Sequence, residues 1–183
     1  MDTCKLNQVL KESKITKREL ASRAKISRVT LDALLDKARD LFIFSCYTGL
    51  AYSDMAAWDD SLLVDGGDAA YIVGCRRKTG ERYITILPGR ARAILDKWGG
   101  RLPRISNQKC NMSLKLIASA AGIKKRVTLH MARHTFGTWE LHNGIDIKTV
   151  SKTLGHSSVV STEIYAKSLD EDVKRSIKML DKK

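Results

Sequence analysis

The feature that most constrains the fold is a change of period over residues 61–87. Leu62-Leu63-Val64, Tyr71-Ile72-Val73 and Tyr83-Ile84-Thr85-Ile86 are short β-type runs, parted by Gly66-Gly67 and by Thr79-Gly80. Three such runs within so few residues, joined by turn dipeptides, predict a small antiparallel sheet. On either side the spacing is helical. The expectation is an α+β chain, mainly α-helical, with one three-stranded antiparallel sheet.

Before the sheet, residues 5–37 read as two or three short helices. Thr16 and Ser27 are N-cap candidates, and Glu19 completes a capping box with Thr16. A strongly apolar helix follows from Ala38 to Cys46, then a break at Thr48-Gly49, then a helix from about Ser53. After the sheet, Pro88-Gly89 leads into a helix ending near Trp98. Ser106 caps a long helix whose apolar positions Met112, Leu116, Ile117 and Ala120 are expected to share a face, with Gly122 as its stop. Helices are expected at about 130–143, 146–154 and 158–166, and an amphipathic tail helix at 169–181. Residues 15–37 resemble a repressor-type helix-turn-helix, whose second helix reads the major groove. The alternative is that they are the opening helices of the larger domain.

Charge narrows the partners. Among 183 residues, 33 Lys and Arg against 20 Asp and Glu leave a net charge of +13. Such a chain attracts polyanions, nucleic acid first and an acidic membrane surface second. The longest apolar run, about Leu41 to Tyr47, falls far short of the ~20 residues that span a bilayer. Cys4, Cys46, Cys75 and Cys110 form no Cys-x-x-Cys motif and read as unpaired core thiols of a reducing, cytoplasmic setting.

The chemistry concentrates in residues 128–167. His130, Arg133 and His134 lie at i, i+3 and i+4, so a helix projects them to one side. Imidazole donates a hydrogen bond and guanidinium grips two oxygens, a combination suited to an anion. Leu154-Gly155-His156 follows, and then Tyr165. His130 and His134 have the spacing of a metal pair, but no carboxylate or third ligand accompanies them at a recognised spacing, so no metal is expected. Asp59-Asp60 and Asp170-Glu171-Asp172 read as solvated faces, which disfavours a metal-dependent nuclease.

The order His-x-x-Arg, Leu-Gly-His, Tyr resembles the tyrosine recombinases, the phage-integrase-like enzymes that cut and rejoin DNA. The resemblance runs from about residue 15 to the C-terminus. It includes Thr48-Gly49-Leu50 followed by Asp54, Arg76-Arg77-Lys78-Thr79-Gly80, Ser106-Asn107-Gln108 and Ala121-Gly122-Ile123. The wording is most similar to integrases of bacterial conjugative transposons. The resemblance implies a catalytic domain over residues 15–183, with 1–14 as an extension or linker remnant.

It also implies roles. Tyr165 is the expected nucleophile, forming a 3′-phosphotyrosine link. Arg133, His130 and His156 would donate to the phosphate oxygens, with His130 also the base. Lys78 would be the general acid, and Asp54 would order the cluster from behind. Arg77, Lys78 and His134 are expected to touch DNA. No cofactor is implied, because the phosphodiester is kept as a protein ester. The partner would be double-stranded DNA, with the chain a monomer in solution and a homo-tetramer on paired sites.

One position departs from the pattern. An arginine normally follows Thr-Gly-Leu, and here that residue is Ala51. Arg76 is the expected substitute, because residues i and i+2 of a strand share a face and Arg76 lies two before Lys78. Arg77 would point the other way, and Arg39 is a more distant option. Ala51 also keeps open an alternative, a catalytically impaired DNA-binding relative.

Overall fold

The computed structural model describes residues 27–165, together with Ser22. In chain order the elements are α1 (Arg28–Thr48), α2 (Tyr52–Ala56), a 3-10 turn at Asp60–Leu62, β1 (Leu63–Asp65), β2 (Ala70–Cys75), β3 (Arg82–Ile86), α3 (Gly89–Lys97), α4 (Asn107–Ala120), α5 (Leu129–His142) and α6 (Ile147–Leu154). A last helical segment covers 160–165. The described residues divide into two compact units: 27–42 with 103–129, and 43–102 with 130–165.

In the first unit, the Ser27 Oγ accepts the Thr30 N–H at 3.0 Å and caps α1. The helix then runs 21 residues without interruption, so the boundary expected near residue 37 is not there. Residues 28–48 hold neither Gly nor Pro. Leu31, Leu35, Ala38 and Leu41 recur at helical spacing and are all buried, so nothing in the sequence stops the helix. The Thr16 capping box, the first helix of the helix-turn-helix resemblance, residues 1–14 and the 169–181 tail lie outside the described residues.

Leu31 and Leu35 pack with Leu116 and Ile117 of α4. Ser106 caps α4 by accepting the Lys109 N–H at 3.3 Å. Of the expected α4 face, Leu116 and Ile117 pack inward and Ala120 is buried, but Met112 departs from it. Met112 is 62% exposed, while Cys110, Leu114 and Ala118, spaced by four, are buried. Met112 stands two residues, about 200° of helical rotation, from Cys110 and Leu114.

In the second unit the sheet is antiparallel with strand order β1-β2-β3. Leu63 faces Ile72, and Ile72 faces Thr85. Strand alternation places Ile72, Tyr83 and Thr85 inside and leaves Val64, Ile84 and Ile86 exposed. β3 packs on α6. The Asp146 carboxylate caps α6 by accepting the Lys148 and Thr149 N–H groups. Phe136 of α5, Val150 and Leu154 of α6 and Tyr165 share one buried cluster, with Leu141 packed against it.

β2 ends at Cys75, and residues 77–79 form a turn. Arg76 and Lys78 are therefore not two positions on one strand face. The hairpin closes through Arg76 N–H to Glu81 O at 2.8 Å and Gly80 N–H to Arg76 O at 2.7 Å. Of the cysteines, Cys110 is buried, Cys46 is half-buried and Cys75 is exposed, and all three are free thiols. Cys75 is thus no core thiol, because the strand end turns it to solvent.

Candidate active site

Arg133 is the structural centre of the second unit. It is 5% exposed. Its Nη1 donates to the Gly49 carbonyl and its Nη2 to the Leu154 carbonyl, each at 2.6 Å. Both carbonyls lie at helix C-termini, just past α1 and at the end of α6, where the backbone dipole is negative and carbonyls lack helical partners. Burial first, and repulsion from Arg76 second, push Arg133 down to about 10. It therefore stays charged at neutral pH.

A second guanidinium reaches the same place from the hairpin. Asp54, buried on α2, pairs through Oδ2 with Nη1 of Arg76. Its Oδ1 accepts the Arg77 N–H at 3.0 Å. One carboxylate thus holds both the side chain and the backbone at the hairpin base. The stem of Arg76 crosses Gly155, where a Cβ would stand 2.7 Å from Cγ and 2.9 Å from Cδ. Arg76 acts electrostatically on Arg133, His156 and Tyr165. Arg77 and Lys78 stand exposed on the hairpin turn. Ala51 carries no charge; its carbonyl accepts the Asp54 N–H at 3.1 Å.

His156 follows the α6 terminus. Its Nδ1 lies 2.8 Å from Oγ1 of the buried Thr162. Burial, then Arg133 and Arg76, push its imidazole down to about 4. It is neutral at physiological pH.

Tyr165 lies 3% exposed, in the cluster with Phe136, Val150 and Leu154. Its ring stacks on His156 at 6.2 Å between centroids, with 14° between planes. It meets His134 edge-to-face at 4.9 Å and 71°. Burial raises the phenol's pKa, and Arg133 and Arg76 oppose that rise. His134, expected to touch DNA, is half-buried, with its ring also meeting His130. The two Nε2 atoms are 2.9 Å apart. His130 itself is exposed.

The structure therefore brings together Arg133, Arg76, Asp54, His156, His134, His130 and Tyr165. Three supporting residues escaped the sequence reading. Gly137 lets the Tyr165 ring approach α5, since a Cβ there would stand 3.1 Å from the ring. Thr162, three residues before Tyr165, holds His156. Tyr83 lies under Arg76, its hydroxyl pushed up to about 12 by burial and by Asp54. The sequence signal for Thr162 is its i−3 spacing from Tyr165, which a helix places on the same side. Among the described residues, no group of three or more His, Cys, Asp or Glu is placed to hold a metal.

A mainly helical domain with a three-stranded sheet, carrying His130, Arg133, His156 and Tyr165 in this order, has the catalytic-domain fold of the tyrosine recombinases. The phage integrase family model matches residues 76–172, more than half of the 183 residues, and the chain belongs to that family. The tyrosine recombinase XerD of Bifidobacterium longum (strain NCC 2705) is 36% identical over 96 residues, covering 52% of this chain and 30% of that protein. This chain thus spans under a third of that relative.

Two solved structures share the fold. The XerH site-specific recombinase, bound to palindromic difH substrate in a post-cleavage complex, superposes with a TM-score of 0.65 at 15% identity. The match covers 99% of this chain and 53% of that one. The Tn1549 transposon integrase, in complex with circular intermediate DNA, gives 0.55 at 14% identity over 82% of this chain and 66% of that one. No helix among the described residues is long and apolar enough to cross a membrane.

Proposed function

We propose that this chain is the catalytic domain of a site-specific DNA recombinase of the tyrosine type, acting in the cytoplasm to integrate or excise a mobile element related to conjugative transposons. The observation that carries this reading is a phenol flanked by two imidazoles, with two guanidiniums acting on it. The net charge of +13 suits double-stranded DNA, through salt-sensitive contacts with phosphate. The chain is a monomer free in solution and a tetramer on paired sites.

In the cleavage step the Tyr165 oxygen attacks phosphorus and forms a P–O bond, while the bond to the 5′ oxygen breaks. The phenol proton passes to His130, and Lys78 protonates the departing 5′ oxygen. Arg133, Arg76 and His156 stabilise the charge on the non-bridging oxygens. This role requires Thr162 to donate to Nδ1, so that neutral His156 carries its proton on Nε2 and donates from there. A phenol raised by burial needs a base within reach; His134 and His156 flank the ring, and His134 links it to His130. Arg76 supplies the charge absent at Ala51, and losing it costs about 3–4 kcal/mol, the usual loss for an oxyanion donor.

A nicked suicide DNA substrate tests this. The chain should form a covalent complex that withstands EDTA and is lost in Tyr165→Phe. Arg76→Ala should abolish the complex while Arg77→Ala keeps it. A reversible, salt-sensitive shift with no covalent product would instead establish an impaired DNA-binding relative. Equal activity in the two arginine variants would refute the role of Arg76.

A further inference from the structure

We propose that His134 is a positioning residue for the cleavage step, one that fixes which nitrogen of His130 faces the DNA while it braces the ring of Tyr165. The inference rests on the recombinase reading for its catalytic consequence, but not for its geometry.

His134 is the side chain that touches both reactive partners. One turn back along α5, its Nε2 lies 2.9 Å from Nε2 of His130. On its other side it meets Tyr165 edge-to-face, with centroids 4.9 Å apart. Two imidazoles paired through Nε2 share one proton between those atoms: one ring donates and the other accepts. The Nε2 of His130 is then occupied whichever way the bond runs. Nδ1 is the one ring nitrogen left to meet a phosphate oxygen or the phenol proton. A histidine's free nitrogen is set by the bond its other nitrogen makes, and here that bond comes from His134.

The pair also resists becoming doubly charged. Burial, then His130 and Arg133, lower the pKa of His134. Neutral His134 can accept from His130 without placing a third cation beside Arg133 and Arg76. A neutral ring is also the better edge-to-face partner for a buried phenol. The groups facing His134 are thus His130 and Arg133 on its own helix, His156 after α6 and Tyr165 on the terminal segment.

Three variants of the full chain separate positioning from packing. His134→Phe keeps the ring against Tyr165 and removes both nitrogens. His134→Gln keeps a hydrogen-bonding group near the His130 nitrogen. His134→Ala removes both features. Each is measured for covalent-complex formation on the nicked substrate from pH 5.5 to 8.5 and for DNA affinity. Imidazole nitrogen NMR of the free protein then reads the tautomer of His130.

His134→Phe should bind DNA as wild type does, yet cleave ~10- to 100-fold more slowly, the usual loss when the partner orienting a functional histidine is removed. Its pH profile should move, and the His130 signal should change from one fixed tautomer to an exchanging mixture. His134→Gln should recover most of the rate. An unchanged His130 tautomer in His134→Phe overturns the inference, as does a His134→Gln no faster than His134→Phe. If wild type forms no covalent complex, the recombinase reading fails, and the NMR comparison still decides whether His134 positions His130.

Discussion

Gly155 links the backbone of α6 to the guanidinium of Arg76, and Gly155→Ala tests that link without altering any proposed catalytic side chain. Gly155 closes α6 at φ 60°, ψ 48°, a left-handed conformation. An L-residue there costs about 1–2 kcal/mol from its own backbone. The added methyl would also stand 2.7 Å from Cγ and 2.9 Å from Cδ of Arg76, and 3.1 Å from Cβ of Tyr83. The Arg76 stem has little room to yield. Its guanidinium is held by Asp54, and its backbone closes the hairpin at both N–H and C=O. Forcing a methyl into such a contact adds about 1–3 kcal/mol, so the total loss should be roughly 2–5 kcal/mol. Gly144 is the control: its φ is 80°, and a Cβ there meets nothing within 4 Å. Gly144→Ala should therefore lose only the backbone part, about 1–2 kcal/mol. Urea unfolding of both variants gives the difference, and the suicide substrate shows whether cleavage follows it. We expect Gly155→Ala to be less stable than Gly144→Ala by at least ~1 kcal/mol and to approach Arg76→Ala in cleavage. Equal stabilities with intact cleavage would show that Gly155 does not hold Arg76 in place.

Two further outcomes are expected. His156 is pushed from its ordinary 6.5 to about 4 in the folded chain, so the unfolded chain binds the proton more readily. Its contribution is complete above pH 6.5 and is lost as pH falls towards 4, on the order of 1–2 kcal/mol once solvent screening of a half-exposed group is discounted. Urea midpoints at pH 7.5 and 5.0 should therefore fall less in His156→Asn than in wild type, and an equal fall would count against the assignment; Glu140, raised to about 7 by burial, acts in the opposite sense in both proteins. Separately, Ala51→Arg introduced into Arg76→Ala should restore covalent-complex formation by at least ~10-fold, or 1.4 kcal/mol of transition-state stabilisation. No gain would mean that positions 51 and 76 do not serve the same phosphate.

Much of this was legible from residues alone, and the failures have definite physical causes. The three strands, the Ser27, Ser106 and Gly155 boundaries and the His130–Arg133 helix follow from period and cap chemistry, which are local. No boundary forms near residue 37, because a change in amphipathic character does not end a helix without a Gly or Pro to break it. Met112 failed because a helix with apolar residues on several sides does not reveal which side is covered. His134 shares a side of α5 with His130, as their i and i+4 spacing predicts. Yet the two side chains sit at different depths, and depth depends on Tyr165, which is distant in sequence. The strand argument for Arg76 failed for a reason that was visible. Gly80 adopts a left-handed conformation in a turn that consumes residues 77–79, so the ladder ends with the Cys75–Arg82 pair.

Arg76 nevertheless reaches the cluster, and the reason bears on how an altered motif should be judged. Asp54 stands one turn beyond Ala51, its N–H bonded to the Ala51 carbonyl, and its carboxylate grips Arg76 and the Arg77 backbone. The position where family members carry their arginine and the position proposed to replace it are thus joined through one buried acid. A carboxylate this buried is costly without a cation beside it. With alanine at 51, the cation beside this acid is the Arg76 guanidinium, delivered at the strand exit after Cys75. By position the motif departs at Ala51; under the proposed function it is the charge around Tyr165 that counts, and there both Arg133 and Arg76 act on the phenol.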